Sequence, residues 1–510
     1  MSRYDSRYDL VAAGGRVMIK HVLVTGATGY VGGRLVPRLL EAGYLVHVLV
    51  RNPAQLQGRT WLNQVEVIKG DILKPETLPR AMVGMQAAYY LIHSMGSGEN
   101  FRQRDRMAAR NFSRAAKQAG LQRIIYLGGL GNPENNLSEH LRSRQETGEV
   151  LREAGIPVVE FRSAIIVGSG SASFEMMRYM VEVIPILLCP RWVMTRVQPI
   201  SIRDVLEYLV AALELPEKVV ASHKIIEIGG SEVLTYRDMM RGYARARGLR
   251  RMTINLPFLS TRFYASWAHW LTPISMPLTH ALIEGLHNEV IVRDHSAARL
   301  FPGIRPRGYP TSLERALARV AKEQVETTWS DAQISTTGDA VVLTLTTREG
   351  LYLERRQKLV PAPAEVVYRV FTSLGGKRGW LYANWVWLAR GIIDRMVGGP
   401  GFRRGRRHPS ELRVGDTLDF WRVEAIEPVR LVRLRAEMKV PGLAWLQFEA
   451  IPHADGKSTL VQTAFFEPKG SPGVLYWYAL YPIHGMVFAG LIRKIAVLAA
   501  SHSKNPAILG

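Results

Sequence analysis

The chain has 510 residues, with 66 Lys and Arg against 44 Asp and Glu, giving a net charge of +22 at neutral pH. That length exceeds one ordinary domain, and 47% hydrophobic with 22% charged residues excludes a disordered chain. A single cysteine, Cys189, excludes an internal disulfide and a multi-cysteine metal centre; no histidine pair stands at metal-ligand spacing, so no metal site is expected.

Residues 1–17 lack the apolar core of a secretory signal and read as a disordered tail before Met18. The next stretch carries the sharpest motif. Residues 22–33 read Val-Leu-Val-Thr-Gly-Ala-Thr-Gly-Tyr-Val-Gly-Gly, a buried-strand run followed by Gly26, Gly29 and Gly32 at three-residue intervals and then a helix-forming segment. In such a strand–turn–helix the first glycine permits the tight turn and the second lets backbone approach a pyrophosphate. The third lets helix and sheet pack closely, while unpaired N–H groups at the helix start face the phosphate. Thr28, Tyr30 and Val31 complete the cradle, and Leu91 is expected on its rim at the end of a strand over 87–92.

The second strand is expected over 44–50, and a residue that reads the ribose is expected at its end. An acidic residue there would select NAD; this chain has Arg51, whose guanidinium can pair with a 2′-phosphate, with Arg59 in the following loop as its assistant. The reading is NADP(H), with NAD(H) second. Strands are further expected at 20–24, 65–68, 123–128, 157–162 and 224–228, with helices at 99–119, 139–154, 236–247 and 311–322. That alternation predicts a doubly wound α/β Rossmann domain with a parallel sheet over 18–325.

The G-x-x-G-x-x-G spacing resembles the extended and atypical short-chain dehydrogenase/reductases. The resemblance implies that Asp71 accepts from the adenine amino group while Ile72 packs on the ring. It also implies a tyrosine and lysine four residues apart on one helix, with a serine after the fifth strand. Here Gly128 stands in the serine's place, His140 in the tyrosine's and Arg144 in the lysine's. Atypical members with NmrA-like sequences, and the NADPH-binding accessory subunit of respiratory complex I, keep the cofactor site without that acid. The segment 161–168 is similar to theirs on the nicotinamide side of the cleft, with Ser163 replacing the usual proline. Two functions follow. One is an oxidoreductase that reduces or isomerises an apolar carbonyl or quinone-type substrate, with His140 and Arg144 as its catalytic pair. The other is a non-catalytic NADP(H) sensor or assembly protein.

Residues 326–345 read as a linker or early hairpin. Beyond it come a strand at 351–360, a helix at 364–371, strands at 417–425, 430–439, 443–451 and 458–466, and a long apolar helix from about 474 to 499. This order, and the opening Glu-Arg-Arg-Gln-Lys-Leu-Val-Pro-Ala-Pro from residue 354, resemble START/polyketide-cyclase-like domains. The resemblance implies an α+β helix-grip domain over 346–505, with an apolar ligand between sheet and last helix. Arg390, Asp394, Asp419 and Arg422 are then expected as polar anchors at the mouth of the cavity.

The basic charge suits an anionic membrane surface or a solvated face, while no nucleic-acid-binding signature accompanies it. Residues 473–492 contain no charged side chain over 20 positions, and a second apolar stretch runs over 261–286. A buried core is the plainer reading of both. The expected location is the cytoplasm, with association to a membrane surface.

Overall fold

The computed structural model describes residues 19–56, 59–92, 101–256, 276–323, 342–348, 350–396 and 412–504, with the short positions 258, 260, 263–264, 398–399 and 401. The expected tail at 1–17, most of the linker, residues 261–262 and 265–275 of the apolar stretch 261–286, and the run Arg403–Arg407 lie outside the described residues. The chain divides into two compact units. The first comprises Met1–Met176, Leu188–Gly242 and Ile254–Gln333; the second comprises Met177–Leu187, Tyr243–Thr253 and Ile334–Gly510.

The first unit is built on β1 (His21–Thr25), β2 (Leu45–Val50), β3 (Glu66–Lys69), β4 (Ala87–Tyr90), β5 (Arg123–Gly129), β6 (Val158–Ser163) and β7 (Lys224–Ile228). They form one sheet in the order β7-β6-β5-β4-β1-β2-β3, parallel throughout. Continuous Val, Ile and Leu runs make such strands because both faces are covered by helices. One face carries α1 (Tyr30–Glu41) and α4 (Ile202–Ala211), whose Leu35, Val36, Leu39, Val205 and Leu209 are buried with Val22, Val24 and Val48. The other carries α2 (Phe101–Gln118) and α3 (Glu139–Glu153), where Phe112, Val150 and Leu151 pack on Leu23, Leu49 and Ile124. Helix α1 ends in a Schellman turn. Gly43 takes φ +85°, and Tyr44 donates to the Leu39 carbonyl at 3.0 Å. The chain thus reverses into β2 at once, which aligns the C-terminal ends of β1 and β2. The last labelled helix of this unit is α5 (Tyr309–Glu323).

The second unit contains β8 (Val342–Arg348), β9 (Leu351–Val360), α6 (Ala364–Thr372), α7 (Asn384–Met396), β10 (Thr417–Leu418), β11 (Trp421–Glu427), β12 (Leu431–Ala436), β13 (Gly442–Pro452), β14 (Ser458–Pro468) and α8 (Gly470–Lys504). The strands form an antiparallel sheet in the order β8-β9-β14-β13-β12-β11-β10. Its inner face presents Val432, Leu434, Leu446, Phe448 and Leu460 to α6 and α8, whose Val367, Phe371, Phe488, Leu491 and Ile495 close the core.

Three expectations are corrected here. The strand expected over 417–425 is a tight hairpin, because Asp419 takes φ +55° and reverses the chain between Leu418 and Trp421. The four expected mouth anchors all serve internal bonds. Asp394 accepts from Gly401 and Lys439 amides, and Asp419 accepts from the Trp380 indole at 2.8 Å. Arg422 pairs with Glu437 at 2.5 Å, and Arg390 reaches the Lys439 carbonyl and the Tyr476 hydroxyl. Helix α7 was not anticipated, and α8 outruns its expected ends on both sides.

Candidate functional site

The cofactor cradle forms where β1 runs into α1. Gly26 takes φ +74°, and a Cβ there would lie 2.5 Å from the Leu91 carbonyl oxygen, so β4 and the turn touch through backbone. A Cβ on Gly32 would lie 2.3 Å from the Gly26 carbonyl oxygen, so helix and turn close on each other only because both residues lack side chains. Gly29 differs. It is exposed, and a Cβ there would meet only the Gly26 oxygen, at 3.2 Å, before pointing into open space. No side chain caps α1. The amides of Tyr30, Val31 and Gly32 begin the helix, beyond the reach of its i to i−4 ladder, with exposed Thr28 on the lip. This cradle fits a pyrophosphate.

Thr25 ties the floor together: its hydroxyl donates to the Tyr89 carbonyl and accepts from the Leu91 amide at 3.3 Å. Arg51 stands exposed immediately after β2, as expected. Arg59 comes close as well, its guanidinium 3.4 Å from the place a Cβ on Gly33 would take, beside the first turn of α1. Two cations therefore flank the cradle on the side of the second strand.

The adenine edge is less open than expected. Asp71 Oδ1 accepts from the Leu73 amide at 3.0 Å, an Asx turn that turns one oxygen back onto its own loop. Ile72 is 7% exposed within the core of Leu23 and Leu49. It supports this edge from beneath and offers no free platform for a ring.

The side expected to face the nicotinamide is the ends of β5 and β6, where Gly129 and Ser163 stand opposite each other. Ser163 is buried, and its carbonyl accepts from the Leu130 amide at 2.9 Å. The half-buried Arg144 donates to the Leu127 carbonyl. His140 is half-buried one turn earlier on α3. Gly128 faces Glu160, whose Oε1 would lie 3.3 Å from a Cβ at that position, and the Tyr126 ring. Glu160 is fully buried and pairs with Arg162 at 2.6 Å and with Arg152. Tyr126 donates to the Arg144 carbonyl at 2.8 Å, and burial pushes its phenol far above the ordinary range. The ends of β5 and α3 therefore hold a bonded frame, with neither a serine nor an acidic phenol aimed at the cleft.

Sequence reasoning missed a second set of polar side chains, on the inner face of the antiparallel sheet. Arg356 and Gln462 are cross-strand neighbours, with Glu354 two residues along the same face; all three are at most 3% exposed. Arg356 pairs with Glu354 and donates to the Gly485 carbonyl in α8 at 3.3 Å. Among the described residues neither amide atom of Gln462, nor Nδ1 of His484 on α8, has a hydrogen-bond partner. Burial, with Arg390 and Arg356 nearby, holds the His484 imidazole down to about 4, and burial raises the Glu354 carboxyl. The signal was present in Glu354-Arg-Arg-Gln357, a charged run where a half-buried strand should alternate.

Comparison with known proteins agrees with this geometry. Residues 26–157 match a family described as NAD(P)H-binding. A ceramide reductase of Caulobacter vibrioides is 30% identical over 243 residues, covering 46% of this chain and 73% of the relative. The chain belongs to the NAD(P)H-binding, reductase/epimerase-like family of atypical short-chain dehydrogenase/reductase type. A photosystem II assembly factor of Trieres chinensis, Ycf39, is 25% identical over 279 residues, covering 52% of this chain and 83% of that one. A 3-beta-hydroxysteroid dehydrogenase of Mycolicibacterium neoaurum is 35% identical over 121 residues, covering 22% and 32%. Residues 347–491 match a separate family, described as protein of unknown function (DUF2867). The Rossmann unit of this family member thus binds NAD(P)(H), and its antiparallel unit carries the second family.

Proposed function

We propose that the protein is an NADP(H)-dependent reductase of an apolar carbonyl compound, and that its antiparallel unit is a helix-grip domain that holds the apolar molecule. The carrying observation is the uncapped start of α1 above an open Gly29, flanked by Arg51 and Arg59. When bound, the nicotinamide supplies hydride. The chain's own residues hold the pyrophosphate on the α1 amides and orient the 2′-phosphate through Arg51. Arg144 acts on the Leu127 carbonyl and keeps the end of β5 in place, which leaves His140 as the side chain on α3 able to donate a proton. A ceramide reductase among the relatives supports a long-chain lipid as substrate class. Buried Gln462, neither of whose amide atoms has a partner among the described residues, and the neutral His484 supply anchors for a polar group of the apolar molecule beneath α8.

The second reading is a non-catalytic NADP(H)-binding assembly protein, favoured by Gly128 and by the engagement of Arg144 in the frame of β5. One experiment separates them. The purified chain is loaded with NADPH and its oxidation followed against long-chain ketones, steroid ketones and quinones. Turnover with one class supports the reductase; NADPH retained without oxidation against all of them supports the second reading.

A further inference from the structure

Helices α7 and α8 leave an apolar surface uncovered. On α7, Trp385, Leu388, Ile392, Ile393 and Met396 follow one another at offsets of 3, 7, 8 and 11 residues, which places them on one helical stripe. All are exposed, Trp385 by 70% and Met396 by 82%. On α8, Leu475, Tyr478, Pro482, Ile483 and Met486 repeat the same offsets and are likewise exposed, Leu475 by 72%. The helices are joined to each other through Trp387 and Phe488, ring centres 6.3 Å apart, and through Arg390 and Tyr476.

Charge says what covers this surface. Helix α8 contains no Asp or Glu along its 35 residues, and α7 contains one, Asp394, which is 1% exposed and bonded to two backbone amides. Among the described residues the exposed charges beside the stripes are cations: Arg395 at the end of α7, Lys439 beside it, and Arg493 and Lys494 about two turns beyond Met486. An apolar stripe with cations and, among the described residues of the two helices, no exposed carboxylate matches an anionic lipid surface. A crossing helix does not fit. α8 is long and apolar enough to span, but its opposite face supplies Leu491, Ile492, Ile495 and Ala499, all at 0% exposure, to the core of its own sheet.

We propose that α7 and α8 seat the protein on an anionic membrane surface, their apolar stripes entering the headgroup boundary while the sheet stays outside. The inference is independent of whether the Rossmann unit turns over its cofactor. The test is co-sedimentation of the full chain with phosphatidylcholine vesicles, with and without about one third phosphatidylglycerol, at low and high salt. Binding is expected to the anionic vesicles and to weaken at high salt. Ile392→Asn with Ile393→Asn should lower it about tenfold or more, and Arg493→Gln with Lys494→Gln about fivefold or more. Melting temperature and near-ultraviolet circular dichroism should be unchanged in both, because all four side chains are exposed. Failure to bind either vesicle, or binding that neither double variant weakens, overturns the proposal. So does light scattering that shows a dimer dissociated by the Ile392/Ile393 variant and unaffected by vesicles, which would make the face a subunit interface.

Discussion

Arg144 donates to the carbonyl of Leu127, and with the Tyr126 hydroxyl donating to the Arg144 carbonyl this ties the middle of α3 to the end of β5. A charged donor on a half-buried carbonyl contributes more than a neutral bond. Arg144→Ala should therefore destabilise the Rossmann unit by about 1.5–3 kcal/mol, read from denaturant midpoints. Arg144→Lys should recover part of that loss. If Arg144 instead acted only on substrate, stability would not move and only turnover would fall.

His140 carries the chemistry of the reductase reading. His140→Ala should lower NADPH oxidation about 100-fold or more while leaving NADPH affinity unchanged. A change below about threefold would assign the proton to water and remove the residue from the mechanism.

In the proposed reading the dinucleotide preference rests on Arg51. Arg51→Ala should weaken NADP(H) by about 1.5–3 kcal/mol and leave NAD(H) nearly unchanged in calorimetry. Gly29→Val should abolish both without unfolding the chain, since its side chain would enter open space. Gly32→Ala should also lower the melting temperature, because its methyl would strike the Gly26 carbonyl.

His484 predicts a pH dependence. Its imidazole titrates near 4 in the fold against 6.5 when unfolded. Between those values the unfolded chain holds the proton that the native one refuses, so stability is full above about pH 6.5 and is lost as pH falls towards 4. The loss from this group approaches about 3 kcal/mol. His484→Gln should flatten that part of the stability profile, as measured by urea unfolding across the range.

The Rossmann unit was legible because its signals are local. A buried strand run, three glycines and a basic residue after the second strand each act within a few residues, and β7 falls where its pattern puts it, as β9 does in the second unit. The adenine edge was less legible, since whether Ile72 is a platform or a core residue depends on Leu23 and Leu49, distant in sequence. In the second unit the charged run from Glu354 marked one strand of the polar set but not its partners: Glu354, Arg356, Gln462 and His484 meet only through strand pairing and the docking of α8. Asp419 had no sequence signal strong enough to break the strand around it, because its left-handed turn is held by the distant indole of Trp380.

The fully buried Glu160 occupies the space that a side chain on Gly148 would need, its Oε2 lying 2.2 Å from the position of a Cβ there. The two positions are consequently constrained together. Gly148→Ala alone would force the carboxylate off Arg152 and Arg162, while the same substitution after Glu160→Ala meets an empty space. Glu160→Ala in turn leaves the buried Arg162 guanidinium without its carboxylate, so each single substitution carries its own cost and the two positions can change only as a coupled pair.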